Sequence, residues 1–485
     1  MASRFKSVLV LLGLAMAIAG IFSNISAESW SFDGHTDHPA SRSSLDRSSQ
    51  PWPVIARLPE VDGEATPLLE AAPDAGGDIE TLEDAWAAAL ATDPRLAAQE
   101  RSRAAAGHSL AAAEAERLPS VSLDGSYQVR SAAPAFRFDA PGLPEAARFP
   151  FSQKEGFSAG AAVDVPLFTS GRIRHGIAAE TARLHAASSA VERTEQELRL
   201  TVAEHFVAVL RAERDWEVAE RVVASLAAHR DDVEVRYRHE SVPRSDLLAA
   251  EVALADARGR QIRAESRLEA AHAAYNRALG RPLEVPVRLA GVEISAPAGD
   301  LETLTARAVG DRPELAGTAA EAAARAAEAD AVRAARLPQV SARGEYVYEE
   351  NRFRSPEGIA AAGVAMTWNA FDGGRRRHAD AALREQSEAL RRLHAERRSQ
   401  IALEVRQAWL EVQRAERQRE LTPQAVEHAE ENLRVARARY QQGISVHTEV
   451  LDAETLREEA LRNHHAAVFD VVTARIRLRF ATGEL

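Results

Sequence analysis

The residues of this 485-residue chain that could do chemistry are few, and their spacing rarely suits them to it. Cysteine is absent, which removes thiol catalysis, disulfides, Cys-ligated metals and an acylated N-terminal cysteine anchor. Asp33, His35, Asp37 and His38 are the right types for a metal, but they lie in an acidic stretch with no apolar period to fix a ligand shell. His464 and His465 are adjacent, and helix neighbours point in different directions. Glu449 and Asp452 stand three apart, a spacing that on its own describes a solvated helix face. No phosphate-binding glycine loop, nucleophile elbow or metal-binding helix motif is present, so no catalytic residue and no cofactor is expected. Sixty basic against 72 acidic residues give a net charge of −12, which argues against a nucleic-acid partner.

The elements that must position these residues are easier to read. Apolar residues make up 46% of the chain but aromatics only 5%, and alanine fills much of the difference. That composition suits long helices whose backbones approach closely. Arg4 and Lys6, the apolar run Val8–Phe22 and a small residue at Ala27 form a secretory signal over residues 1–27. The run is shorter than the roughly 20 residues a spanning helix needs. Its removal leaves 58 basic and 72 acidic residues, a net charge of −14. Residues 28–78, rich in Ser, Pro, Asp and Gly, read as an extended or disordered lead-in. No later segment approaches the length of a transmembrane helix, so any membrane insertion must use strands.

From Thr81 onward the chain repeats once. Arg117-Leu118-Pro119-Ser120-Val121-Ser122 recurs 219 residues later as Arg336-Leu337-Pro338-Gln339-Val340-Ser341. Gly171-Arg172, Arg236-Tyr237, Leu248, Glu251 and Gly280 recur at a constant offset of 203. We therefore divide the mature chain into a first repeat (79–280), a linker (281–300) and a second repeat (301–485). Each repeat opens with a helix, Thr81–Leu118 or Leu301–Leu337, that ends at a Leu-Pro. Two strand-like runs follow, at about 119–134 and 156–168 and again at about 338–352 and 358–371. Helical hairpins over 171–280 and 374–481 complete the pattern.

The strand runs alternate. Val121, Leu123, Tyr127 and Val129 oppose Ser120, Ser122, Asp124, Ser126, Gln128 and Arg130. Such runs suit strands crossing an outer membrane, and equally a sheet lying on a soluble core. The hairpins weigh toward the former: Gly171–Ser241 holds 71 residues, on the order of 100 Å as a helix. Val202, Val209, Trp216 and Val223 step by sevens, which implies helices packed side by side. Pro423 predicts a bend or local break in the second rod. Four strands cannot close a barrel, and an open edge in lipid leaves backbone groups unpaired at several kcal/mol each. Spanning strands would have to be pooled between copies, and three copies make twelve.

The duplicated Leu-Pro-x-Val-Ser starts, the strand ends Pro166-Leu167-Phe168 to Gly171-Arg172 and Phe371 to Gly374-Arg375, and the stretch Arg439-Tyr440-Gln441-Gln442-Gly443 with Glu449-Val450-Leu451-Asp452-Ala453 together resemble the TolC-like outer-membrane efflux proteins. The resemblance covers about residues 79–485. It implies an α+β fold in which long duplicated helical hairpins form a periplasmic α-barrel. Four membrane-spanning strands per protomer then close a twelve-stranded barrel in a homotrimer. It further implies a passive exit duct in the outer membrane of a Gram-negative bacterium, working with a periplasmic adaptor and an inner-membrane pump. On the same basis Glu449 and Asp452 match an acidic ring at the periplasmic aperture. Asp246 and Tyr440 match a latch holding the tip shut, and Gly443, Ser445 and Arg244 match the tip turns that dock an adaptor. Ser445 stands where the family carries a latch arginine, which Arg244 could replace. Glu240, where a glycine is usual, and Pro243 depart from the pattern. The rival expectation is a soluble periplasmic coiled-coil adaptor, which would share the rods but lack four alternating strands.

Overall fold

A computed structural model of the protein describes residues 79–138 and 147–485. The signal segment, the lead-in and the Asp33, His35, Asp37 and His38 cluster lie outside the described residues. The chain divides into two compact units, one built around Pro119–Val165 and Ser341–Ala365, the other from the stretch ending at Leu118 with Pro166–Val340 and Met366–Leu485.

The first unit is a four-stranded sheet. Strands β1 (Ser120–Val129), β4 (Glu155–Phe168), β5 (Gln339–Glu349) and β6 (Gly358–Thr367) are hydrogen-bonded in that order, so each repeat supplies two neighbouring strands. β1 runs antiparallel to β4 in a register that sets Val121 opposite Val163, Leu123 opposite Ala161 and Tyr127 opposite Phe157. Ser126 faces Ser158, hydroxyl to hydroxyl at 2.8 Å, on the other face. At these positions the period-two pattern keeps apolar with apolar and polar with polar. Every residue of edge strand β1 is exposed, and so is nearly all of edge strand β6. Between β1 and β4 lies a short hairpin of β2 (Ala135–Phe138) and β3 (Ala147–Pro150), which the sequence reading did not anticipate. It accounts for the drop in repeat offset from 219 before it to 203 after it.

The second unit is helical. The opening helix of each repeat is not one helix but two: α1 (Leu82–Thr92) with α2 (Pro94–Ala115), and α5 (Leu301–Asp311) with α6 (Pro313–Ala334). The reason is the proline. Asp93 and Arg312 each precede one and are forced out of the helical region to nearly the same angles, φ −69° with ψ 119° and 120°. Asp93 then caps α2, accepting from the backbone N–H groups of Arg95 and Leu96.

The long helices are α3 (Arg172–Arg238) and α7 (Arg375–Gln441), 67 residues each, and each returns through α4 (Arg244–Ala278) or α8 (His447–Thr482). Pro423 does not break α7. The Arg419 carbonyl, which loses its usual N–H partner at Pro423, accepts the Thr422 hydroxyl at 3.0 Å, and Thr422 in turn contacts His464 Nδ1 at 2.9 Å.

Two cores repeat each other. Ala85, Ala89 and Leu96 pack with Val202, Phe206 and Val209. Their counterparts Leu304, Ala308 and Leu315 pack with Val405 and Val412. Helices α4, α3, α8 and α7 form one side-by-side layer, with α3 against α8 in the middle. The outer members carry exposed apolar side chains, Leu248, Val252 and Ile262 on α4 and Leu403, Leu410 and Leu421 on α7. Like the sheet, this layer has two unsatisfied flanks.

Candidate functional site at the hairpin tips

The two hairpin turns are built on one backbone plan. After α3, the Glu240 N–H donates to the Tyr237 carbonyl (2.9 Å) and the Ser241 N–H to the Arg236 carbonyl (2.8 Å). After α7, the Gly443 N–H donates to the Tyr440 carbonyl (3.1 Å) and the Ile444 N–H to the Arg439 carbonyl (2.9 Å), 203 residues on. Both closures need a left-handed residue. Gly443 adopts φ 71° without a Cβ clash, whereas Glu240 holds φ 54° at a steric cost. The return helices start after Pro243 and Val446, which places Asp246 and Glu449 at equivalent positions in the first turn. There each carboxylate complements the positive end of its helix.

Behind the second turn the side chains of α3, α7 and α8 enclose a polar cluster. Tyr440 is buried, its ring 5.4 Å from His229 edge-on and 6.1 Å from His447. His229 from α3 and His447, the first residue of α8, stack nearly parallel with Nε2 of the former 3.0 Å from Nδ1 of the latter. The Arg236 guanidinium lies over the Tyr440 ring at 4.9 Å and donates to the Tyr440 and Gln441 carbonyls at 3.0 and 3.2 Å. It thus ties α3 to the end of α7. Glu454, buried on α8, receives Arg437 at 3.1 Å and Arg457 at 2.8 Å, and Arg437 also reaches Ser225 on α3. An apolar cluster of Val233, Ala250, Leu433, Val450 and Ala453 packs around these groups.

Burial, then the neighbouring His447, Arg437 and Arg236, push the His229 imidazole down to about 4. His447 is lowered by burial against the opposing pull of the Asp246 carboxylate. Burial and, after it, Asp246 raise the Tyr440 phenol.

The structure brings Asp246 and Tyr440 into electrostatic contact, yet the Tyr440 hydroxyl is buried with no hydrogen-bond partner in this protomer. Glu449 and Asp452 are both exposed on α8, among the buried Val450, Ala453 and Glu454. Arg439 stands 4.0 Å from Glu449. Gly443 and Arg244 are exposed, and Ser445 turns its hydroxyl to the Val446 carbonyl at 3.3 Å. The arginine that lies over the Tyr440 ring is Arg236. Its signal was the repeated Arg-Tyr pair, in which Arg236 precedes the first-repeat counterpart of Tyr440. His464 packs α8 on α7 through Thr422, whereas His465 lies near Arg214, Glu217 and Arg221 of α3. Among the described residues, no group of three or more His, Cys, Asp or Glu side chains could hold a metal.

A duplicated sheet with exposed apolar edges, together with duplicated long hairpins, defines the class of outer-membrane channels with a large periplasmic helical portion. Three solved channels share the fold. CusC, whose structures capture conformational changes accompanying folding and transmembrane channel formation, aligns with a TM-score of 0.71 at 19% identity over 83% of this chain and 92% of its own. The Vibrio cholerae outer membrane protein VceC gives 0.70 and 18% over 83% and 96%. The open Neisseria gonorrhoeae MtrE outer membrane channel gives 0.67 and 18% over 83% and 88%. No curated protein matches the sequence. Residues 86–281 and 304–484 match the outer membrane efflux protein family, and the chain belongs to it. The match falls in two blocks, one per repeat, and its members serve as exit ducts of the outer membrane.

Proposed function

We propose that three copies of this chain form a passive duct whose entrance is the ring of hairpin tips, and that the duct works with a periplasmic adaptor and an inner-membrane pump. The observation that carries this reading is the pair of open flanks in each unit: β1 and β6 in the sheet, α4 and α7 in the helical layer. A cyclic head-to-tail ring satisfies both without leftover edges. Exposed Ile444, Val446 and Leu248 at the tips offer an adaptor an apolar footing, and β1 and β6 offer apolar side chains to outer-membrane lipid.

Within this reading, three copies of Glu449 and Asp452 would focus negative potential on a cation path. Arg439 beside Glu449 tempers the outer ring and leaves Asp452 as the stronger member. Three-fold mass in detergent and a requirement for surfactant are expected; a water-soluble monomer would overturn the duct. In planar bilayers Glu449→Ala with Asp452→Ala should weaken block by di- and trivalent cations, and unchanged block removes the ring. Tyr440→Phe with Asp246→Ala should raise resting conductance, and its absence counts against the latch.

A further inference from the structure

We propose that His229 and His447 form a proton-operated clasp that holds the second hairpin tip to α3 at neutral pH and releases it on acidification. The proposal rests on the entrance reading above only for its consequence; the clasp itself is a property of one protomer.

Both rings are buried, and their contact links α3 directly to the first residue of α8. With both neutral, one nitrogen carries the proton and the other accepts it across 3.0 Å. Either tautomer satisfies the contact. A first added proton must sit elsewhere on the pair, for which His447 Nε2 is buried and unpartnered. That places a cation on a buried nitrogen with no hydrogen-bond acceptor. A second proton sets N–H against N–H.

The surroundings oppose the charge. From α3 come Arg236 and the more distant Asp232; from α7 come Arg437 and the phenol of Tyr440. From α4 comes Asp246, the carboxylate that favours a protonated His447. On α8 itself Glu454 is already engaged by Arg437 and Arg457. Two guanidiniums against one uncommitted nearby carboxylate leave the pair best neutral.

The sign follows from linkage. A released histidine titrates near its ordinary value of about 6.5, whereas clasped His229 titrates at about 4. Clasp stability is full above the ordinary value and is lost as the pH falls from there toward the lower one. Between pH 7 and pH 5 the released population should rise about twenty-fold per protomer. In a duct, this makes the entrance responsive to the acidity of the periplasm.

The test is hydrogen–deuterium exchange on the full-length protein in detergent, corrected for intrinsic pH dependence. Segments around residues 225–236 and 438–452 should lose protection by about twenty-fold between pH 7 and pH 5, while the core around Leu304 and Val405 does not change. His229→Gln with His447→Gln should abolish the acid response. Asp246→Asn, which withdraws the carboxylate that favours a protonated His447 within the clasp, should enlarge the acid response. Tip protection equal at both pH values overturns the clasp, as does an undiminished acid response in the double variant. Should that variant fold poorly, the histidine ring resonances of the wild type decide: titration of both residues near 6.5 overturns the clasp. None of these readouts depends on conduction, so the clasp and the duct stand or fall separately.

Discussion

At the first hairpin tip Tyr237 is 37% exposed and Glu251 faces solvent, whereas at the second their counterparts Tyr440 and Glu454 are 5% and 2% exposed. The backbones close with the same hydrogen bonds, so duplication preserved the turn and changed what the turn faces. The cause is the order of the helical layer. α8 lies inside it, packed on both α7 and α3, while α4 lies at a flank and packs on α3. A side chain on the inner helix must satisfy its polar atoms within the protomer; one on the outer helix can leave them to water. The tip chemistry therefore gathers where His229 and Arg236 of the first repeat reach Tyr440 and His447 of the second.

The comparison breaks most sharply at the carboxylates. Glu454→Ala should destabilise the tip by about 1–3 kcal/mol, because it removes the shared buried acceptor of the partly exposed Arg437 and Arg457. Glu251→Ala should cost no more than about 0.5 kcal/mol, as a surface change. Denaturant melts of the two variants measure the contrast, and equal losses would mean that the inner position is not special. The turn residues come next. Glu240→Gly should stabilise by about 1 kcal/mol by relieving the left-handed strain, and Gly443→Ala should cost about the same. Opposite shifts in melting temperature are the expected result. Tyr440→Phe should change stability by about 1 kcal/mol or less, in the stabilising direction, since the deleted hydroxyl has no partner in the protomer. A clear loss would reveal an acceptor supplied by water or by another copy. Smallest is the first-turn pair. Asp246→Asn and Glu449→Gln should each cost about 0.5 kcal/mol at low salt, and less as salt screens the helix dipole.

Much of this architecture was legible because duplication and period survive translation into one dimension. The hairpins, the paired strands and their alternation follow from spacing alone, and the constant offset foreshadows the equivalence of the two cores. The proline breaks at Pro94 and Pro313 were equally legible by the rule that a residue before proline leaves the helix, yet the continuous apolar pattern on either side masked them. Pro423 errs in the other direction, since Thr422 supplies the donor that the ring removes and the rod continues. The β2–β3 hairpin is short and has no counterpart to reveal it. The clasp was out of reach for a different reason: His229 and His447 are 218 residues apart and occupy non-equivalent repeat positions. Only the packing of α3 on α8 makes them neighbours.

The bare flanks of β1 and β6 bear on how such a protein reaches its destination. A lone sheet with unpaired backbone on two sides is unwelcome in hydrocarbon, so partitioning into lipid has to wait until chains have found one another. In the proposed three-chain duct, the yield of finished pores would fall with the cube of the free chain concentration, so a modest drop in export would become a steep drop in capacity.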